Sequence, residues 1–96
     1  MTQSAVTMYV TGWCPYCQRA KTLLRAKNLV VNEIDVDDDP KFRDEMMARS
    51  GRRTVPQIFI GQQHIGGCDD LYALEDRGEL DGLISINLGG GIDERS

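Results

Sequence analysis

The chain has 96 residues, 41% of them apolar, and a formal net charge of −4. That size holds one domain with one small core, and the acidic balance argues against a nucleic-acid binder, which rewards a basic surface. No apolar run approaches the ~18 residues that a membrane-spanning helix needs. Residues 5 to 10 read as a first strand, and Pro15 opens a helical pattern that runs to about Asn28. The β-branched stretch 29 to 36 reads as a second strand. Asp37-Asp38-Asp39-Pro40 is a turn and helix-start signal, with Asp39 as N-cap and Pro40 in the first helical position. Lys41 to Ser50 continues that helix on Phe42 and Met46, and Gly51 ends it. A third strand is expected at residues 55 to 60 and a fourth at 63 to 65, joined by Gly61-Gln62. After Gly66-Gly67 a third helix is expected from Cys68 to Arg77, stopped at Gly78, and a short last one from Glu79 to about Ser85.

The order is βαβαββα plus a terminal helical turn. A right-handed crossover makes the first two strands parallel, and the glycine-containing hairpin makes the last two antiparallel. The expected class is α/β, a mixed four-stranded sheet covered by helices. The domain is expected to span residues 1–85, and residues 86–96, with Gly89-Gly90-Gly91, to form a flexible tail.

Cys14-Pro15-Tyr16-Cys17 sits at the junction of the first strand and first helix. Two cysteines at that spacing and place read as a thiol–disulfide redox pair. The helix treats them differently. Cys14 lies at the helix start, where unpaired N–H groups and the positive end of the macrodipole favour a thiolate. Cys17 is one turn in and shares a stripe with Ala20, Leu23 and Leu24, so it is expected to face the interior. That is the layout of an attacking and a resolving thiol. The competing reading is half of a zinc site, but His64 and Cys68 do not form the second close pair that such a site needs. Met1-Thr2-Gln3-Ser4 has neither the positive charge nor the apolar stretch of a secretory leader. The expected compartment is therefore the reducing cytoplasm, where a close cysteine pair is more often catalytic than structural.

Other residues admit two readings each. Pro56 has no N–H for a sheet ladder, so it begins the third strand; if cis, it would instead free the Val55 backbone to pair with an extended ligand. The backbone around Gly66-Gly67-Cys68 could hold a carboxylate, with Asp69 and Asp70 meeting an ammonium group; alternatively the aspartates only cap the helix. Arg52 and Arg53 could bind a carboxylate or form a solvated turn. Cys68 reads as a small buried apolar residue in preference to a reactive one. His64 reads as a surface or hydrogen-bonded histidine, and Met46 and Met47 as core or core-edge residues.

Cys14-Pro15-Tyr16-Cys17, Thr54-Val55-Pro56 and Gly66-Gly67-Cys68-Asp69-Asp70, in that order, resemble the glutaredoxin family, and more narrowly its small bacterial dithiol members. The run Thr54 to Ile60 and the stretch Ile65 to Leu74 strengthen the likeness, which covers about residues 5 to 85. The resemblance implies a thioredoxin fold and a glutathione-dependent thiol–disulfide oxidoreductase acting on protein disulfides and glutathionyl mixed disulfides. It implies that Cys14 attacks, that Cys17 resolves, and that Pro56 is cis. Tyr16 would line the glutathione groove, and Thr54 and Val55 would pair with the backbone around the glutathione cysteine. Cys68, Asp69 and Asp70 would meet the γ-glutamyl end. Glutathione is then the reducing co-substrate, with no tightly bound cofactor and no metal. The implied partners are glutathione and disulfide-containing or glutathionylated proteins, with no nucleic acid and no membrane, and the protein is expected to be a monomer.

One departure stands out. The family usually carries a lysine three residues before the first cysteine, and here that position is Thr11. Arg52 falls where relatives often have a glutamine that contacts the glycyl carboxylate, so it is expected to substitute in part. Two rival functions follow from relatives of the fold. One is an iron–sulfur cluster carrier, disfavoured by Pro15, since cluster-binding relatives usually have a smaller residue there. The other is a thioredoxin-like protein, whose usual motif has Gly-Pro between the cysteines where this chain has Pro-Tyr.

Overall fold

The computed structural model describes residues 6–88. Its elements are β1 (Val6–Val10), α1 (Pro15–Ala26), β2 (Val31–Asp35), α2 (Pro40–Ser50), β3 (Gln57–Ile60), β4 (Gln63–Gly66), α3 (Cys68–Asp76) and α4 (Leu80–Leu88). The sheet order is β2-β1-β3-β4. β1 runs parallel to β2, and the β1–β3 and β3–β4 pairs are antiparallel. This is the mixed four-stranded α/β sheet expected from the element order, in the thioredoxin-type arrangement that the family resemblance implies.

The central strands β1 and β3 alternate in the two-residue period of a pleated sheet. Val6, Met8, Val10, Ile58 and Ile60 join Cys17, Ala20 and Leu24 of α1, Cys68 and Leu71 of α3, and Leu80 of α4 in one core. Tyr9 and Phe59 face the other way and form a second cluster with Val36, just after β2, and Met46 of α2. Helices therefore cover both faces. The edge strand β2 is only half-buried.

Local chemistry sets the element ends. α1 stops at Ala26, short of Asn28, because Asn28 takes a left-handed φ of 65° and the Leu29 amide turns back to the Leu24 carbonyl at 3.2 Å. The second strand accordingly starts at Val31, two residues later than the β-branched pattern suggests. Asp39 caps α2 by accepting from the Lys41 amide at 2.9 Å, and Gly51 ends it at φ 73°. β3 begins at Gln57, because Pro56 brings no N–H to the ladder. α4 runs three residues beyond Ser85, to Leu88, so residues 86–88 belong to the folded domain. Asn87 ties this last turn to the hairpin by donating to the Gln63 side chain at 2.9 Å. The remainder of the expected tail, residues 89–96, lies outside the described residues.

The register places the motifs. Tyr9, near the end of β1, pairs with Gln57 at the start of β3. Gly66, at the end of β4, pairs with Ile58. The loops after β1, before β3 and after β4 thus emerge at one end of the sheet. Leu24 is fully buried between α1 and the sheet. Leu24→Ala is expected to lower the unfolding free energy by about 2–5 kcal/mol, read as a lower urea midpoint with an unchanged slope.

Candidate functional site

Cys14 is the N-cap of α1, with extended backbone (φ −142°, ψ 116°), and its carbonyl accepts the Gln18 amide at 3.0 Å. Pro15 holds the first helical position. Cys14 is half-buried and Cys17 buried, and both carry free sulfurs. Burial pushes the Cys17 thiol up to about 12, and its side-chain hydrogen bond to Cys14 acts in the same direction. A backbone hydrogen bond from Thr11 opposes both. Cys17 thus keeps its proton at neutral pH, beside a sulfur that meets solvent.

Next to this pair lies a cleft of about 240 Å³. Its walls are Tyr16 of α1, Arg52, Thr54, Val55 and Pro56 before β3, and Gly67, Cys68, Asp69 and Asp70 at the start of α3. The residues singled out in three separate sequence motifs therefore surround one space. The Val55–Pro56 peptide is cis. Cys68 is both a wall residue and a core residue, only 4% exposed. Burial raises its thiol, so the reading of it as a small buried apolar residue fits its surroundings. Arg53 is exposed and is not part of the wall.

Asp70 organises the far side of the cleft. Its carboxylate accepts the Gly67 amide at 2.9 Å and pairs with the Arg52 guanidinium at 2.9 Å. The Gly67 amide, then Arg52, hold its carboxyl below the usual carboxylate range. Asp70 thus closes back on the helix start, as the capping reading has it, and it also stands in the cleft wall. Gly66 makes room for this. It has φ 116°, and a Cβ there would collide with the Asp70 carboxylate. Arg52, expected to substitute in part at the glycyl carboxylate, commits part of its guanidinium to Asp70 and also lines the cleft. Thr11, in place of the usual lysine, donates its hydroxyl to Asp37, which also receives Arg43 at 3.3 Å.

A buried polar relay supports the loop before β3. Gln57 is fully buried. Its amide nitrogen donates to the Thr54 carbonyl at 3.0 Å and to the Thr54 hydroxyl at 3.2 Å. Its amide oxygen lies 2.7 Å from His64 Nε2. His64 also packs against the Phe59 ring, with centroids 4.9 Å apart. The relay fixes Thr54, a cleft residue, from β4. His64 is thus a hydrogen-bonded histidine, one of its two expected states, and its partner Gln57 is not singled out by the sequence. The only available signal was a polar residue inside an otherwise apolar strand, and its partner lies seven residues on. Among the described residues, no group of three or more His, Cys, Asp or Glu is placed to hold a metal ion. None of the helices there is long and apolar enough to cross a membrane.

The comparisons with known proteins agree with the geometry. The family model for glutaredoxin matches residues 6–65. The chain is 57% identical over 79 residues to glutaredoxin 3 of Escherichia coli, covering 82% of this chain and 95% of that protein. It is 54% identical over 80 residues to a glutaredoxin of Pseudomonas aeruginosa, covering 83% and 95%. Among solved structures, a buckwheat glutaredoxin–glutathione complex superposes with a TM-score of 0.80 at 27% identity, over 92% of this chain and 82% of that one.

Burial first, then the charge of Arg52, lowers the His64 pKa from the usual 6.5, with Asp70 pulling the other way. Below pH 6.5 the unfolded chain therefore takes up a proton that the native state resists, and stability falls as pH drops through that window. His64→Gln is expected to flatten the fall in melting temperature between about pH 6.5 and 5. Equal slopes for the two proteins would mean that His64 titrates alike folded and unfolded.

Proposed function

The chain belongs to the glutaredoxin family, and from that premise we propose how its residues divide the work of a glutathione-dependent thiol–disulfide oxidoreductase. The activity is that of the family and of the curated relatives that the chain matches. The division of labour rests on one observation. A half-buried cysteine holds the N-cap position of a helix beside a polar cleft, and a protonated sulfur is buried one turn behind it.

Cys14 is the attacking thiol. Its thiolate attacks one sulfur of a substrate disulfide, and the other sulfur leaves as a thiolate and takes up a proton. Cys17 is the resolving thiol. Once the Cys14 sulfur is bonded to substrate, it no longer accepts the hydrogen bond that helps raise the Cys17 pKa. Cys17 then loses its proton more readily and attacks the Cys14 sulfur. The Cys14–Cys17 disulfide forms and the substrate cysteine departs reduced. Two glutathione molecules return the pair to thiols and leave as glutathione disulfide. When the substrate is a glutathionylated protein, Cys14 takes the glutathionyl group and a second glutathione removes it.

The cleft takes the glutathione moiety. A glutathione complex of a structural relative supports this ligand, and the chemistry of the walls suits it. Thr54 and Val55 offer backbone groups ahead of β3 to its cysteine, and the Tyr16 ring forms a wall. The amides at the start of α3, around Cys68 and Asp69, suit the γ-glutamyl carboxylate, and the Asp69 and Asp70 carboxylates suit its ammonium group. Arg52 bridges the two ends: it holds Asp70 and turns its free donors to the glycyl carboxylate. The protein substrates are disulfide-containing or glutathionylated proteins. We place the activity in the reducing cytoplasm, where such a dithiol stays reduced, and read the working form as a monomer.

Turnover of a glutathionyl mixed disulfide, coupled to glutathione reductase, is expected to fall at least about a hundredfold in Cys14→Ser. Cys17→Ser should keep that turnover while losing most reduction of protein disulfides. Full activity in Cys14→Ser would overturn the assignment. Arg52→Ala is expected to raise the apparent KM for glutathione about threefold to fivefold, a modest effect because the guanidinium is half exposed. An unchanged KM would remove Arg52 from the binding site.

A further inference from the structure

The residue immediately before the attacking cysteine plays no part in the scheme above. Trp13 is 76% exposed, an indole held in water next to Cys14. It is not among the residues that wall the cleft. Tyr16, on the other side of Cys14, is 55% exposed and does wall it. Cys14 is therefore flanked in sequence by two exposed aromatic residues, one that walls the cleft and one that does not. A glutathionyl group in the cleft meets Tyr16 and leaves Trp13 uncovered.

A protein substrate differs from glutathione in having chain on both sides of its reactive cysteine. When that sulfur meets Cys14, the flank that does not enter the cleft is left to the surface beside it, where Gly12 and Trp13 are both exposed. The way in is open, since a Cβ placed on Gly12 would meet nothing within 4 Å. Asp37, bound by the Thr11 hydroxyl and paired with Arg43 at 3.3 Å, is 59% exposed on its side chain, and Asp38 beside it is exposed as well, so two carboxylates face one guanidinium there. An incoming segment that covers Trp13 gains from burying the indole, and an acidic one is repelled.

Building on the oxidoreductase reading, we propose that Trp13 is a docking contact for protein substrates, engaging an apolar side chain next to the substrate cysteine in an extended, non-acidic segment. It selects among protein thiols and disulfides and contributes nothing to holding glutathione. Large aromatic residues at the centre of a contact carry a disproportionate share of its energy, and here the contact lies one residue from the reacting sulfur.

The test uses the full-length Cys17→Ser protein and two short peptides, each with its one cysteine as a 2-thiopyridyl mixed disulfide. One peptide has leucine beside the cysteine and the other glycine. The Cys14 thiolate attacks the peptide cysteine sulfur, the bond to the pyridine sulfur breaks, and the leaving thiolate takes up a proton to appear as 2-thiopyridone. Cys68 does not compete, being 4% exposed. The leucine peptide is expected to react about tenfold faster below saturation. Adding Trp13→Ala should abolish that preference, and Trp13→Phe should retain most of it. Trp13 is the one tryptophan in the chain, so its emission should shift to the blue in the leucine adduct and not in the glycine adduct. Equal rates for the two peptides with Trp13 in place would overturn the proposal. So would a loss in Trp13→Ala that is the same for both, which would make Trp13 only a prop for Cys14. Turnover of a small glutathionyl disulfide by the unaltered protein is measured alongside. Its absence would sink the oxidoreductase reading itself, whereas the peptide preference alone decides the role of Trp13.

Discussion

The antiparallel pairing of β1 with β3 is the constraint on which the site depends. Tyr9 stands opposite Gln57, so the chain leaves β1 where it is about to enter β3. The cysteine motif follows the first strand, and Thr54-Val55-Pro56 precedes the third. The pairing of β4 with β3 brings Gly66 to the same end. Three segments scattered over more than fifty residues of sequence thus converge because of backbone register alone. Since one face of β1 and β3 packs on α1 and α3 and the other on α2, a slip by one residue would turn Met8 and Tyr9 to the wrong sides. The core that stabilises the domain and the register that assembles the cleft are one and the same.

The cleft is then held by polar contacts within that frame. Gln57 has no access to water, and an unpaired buried amide costs about 1–3 kcal/mol. Its contacts with Thr54 and His64 remove that cost and, in doing so, tie the loop before β3 to the far strand. Asp70 plays a similar part at the start of α3, joining the Gly67 amide to Arg52. The loops of the site are thus fastened to the scaffold by groups with few alternative partners, which limits how far they drift between encounters with ligand.

Much of this was legible in the residues. The alternation of strands and helices, Asp39-Pro40 as a helix start and Gly51 as a helix stop all follow from local chemistry and appear as expected. The buried stripe of Cys17, Ala20 and Leu24 follows from helical period. What escaped were features fixed by distant contacts or by single backbone angles. Asn28 ends α1 early through a left-handed φ, which asparagine tolerates but does not require. The last helix outruns Ser85, where Asn87 finds Gln63 across the fold. The Arg52–Asp70 pair spans eighteen positions and has no local signature. Likewise, the Thr11 hydroxyl meets Asp37 only because β1 and β2 lie side by side.

Gly66 carries a consequence of a different kind. Its missing Cβ is the space into which the Asp70 carboxylate folds, and that carboxylate anchors Arg52. A single added methyl group would evict a negative charge, and the eviction would release a positive one fourteen residues upstream in sequence. Positions 66, 70 and 52 therefore do not vary independently: a steric change at the first is read at the third as a rearrangement of charge. In descendants of this chain, a larger residue at 66 would meet two obstacles at once, the Asp70 carboxylate and a φ of 116°, and a new occupant at 70 would remove only the first.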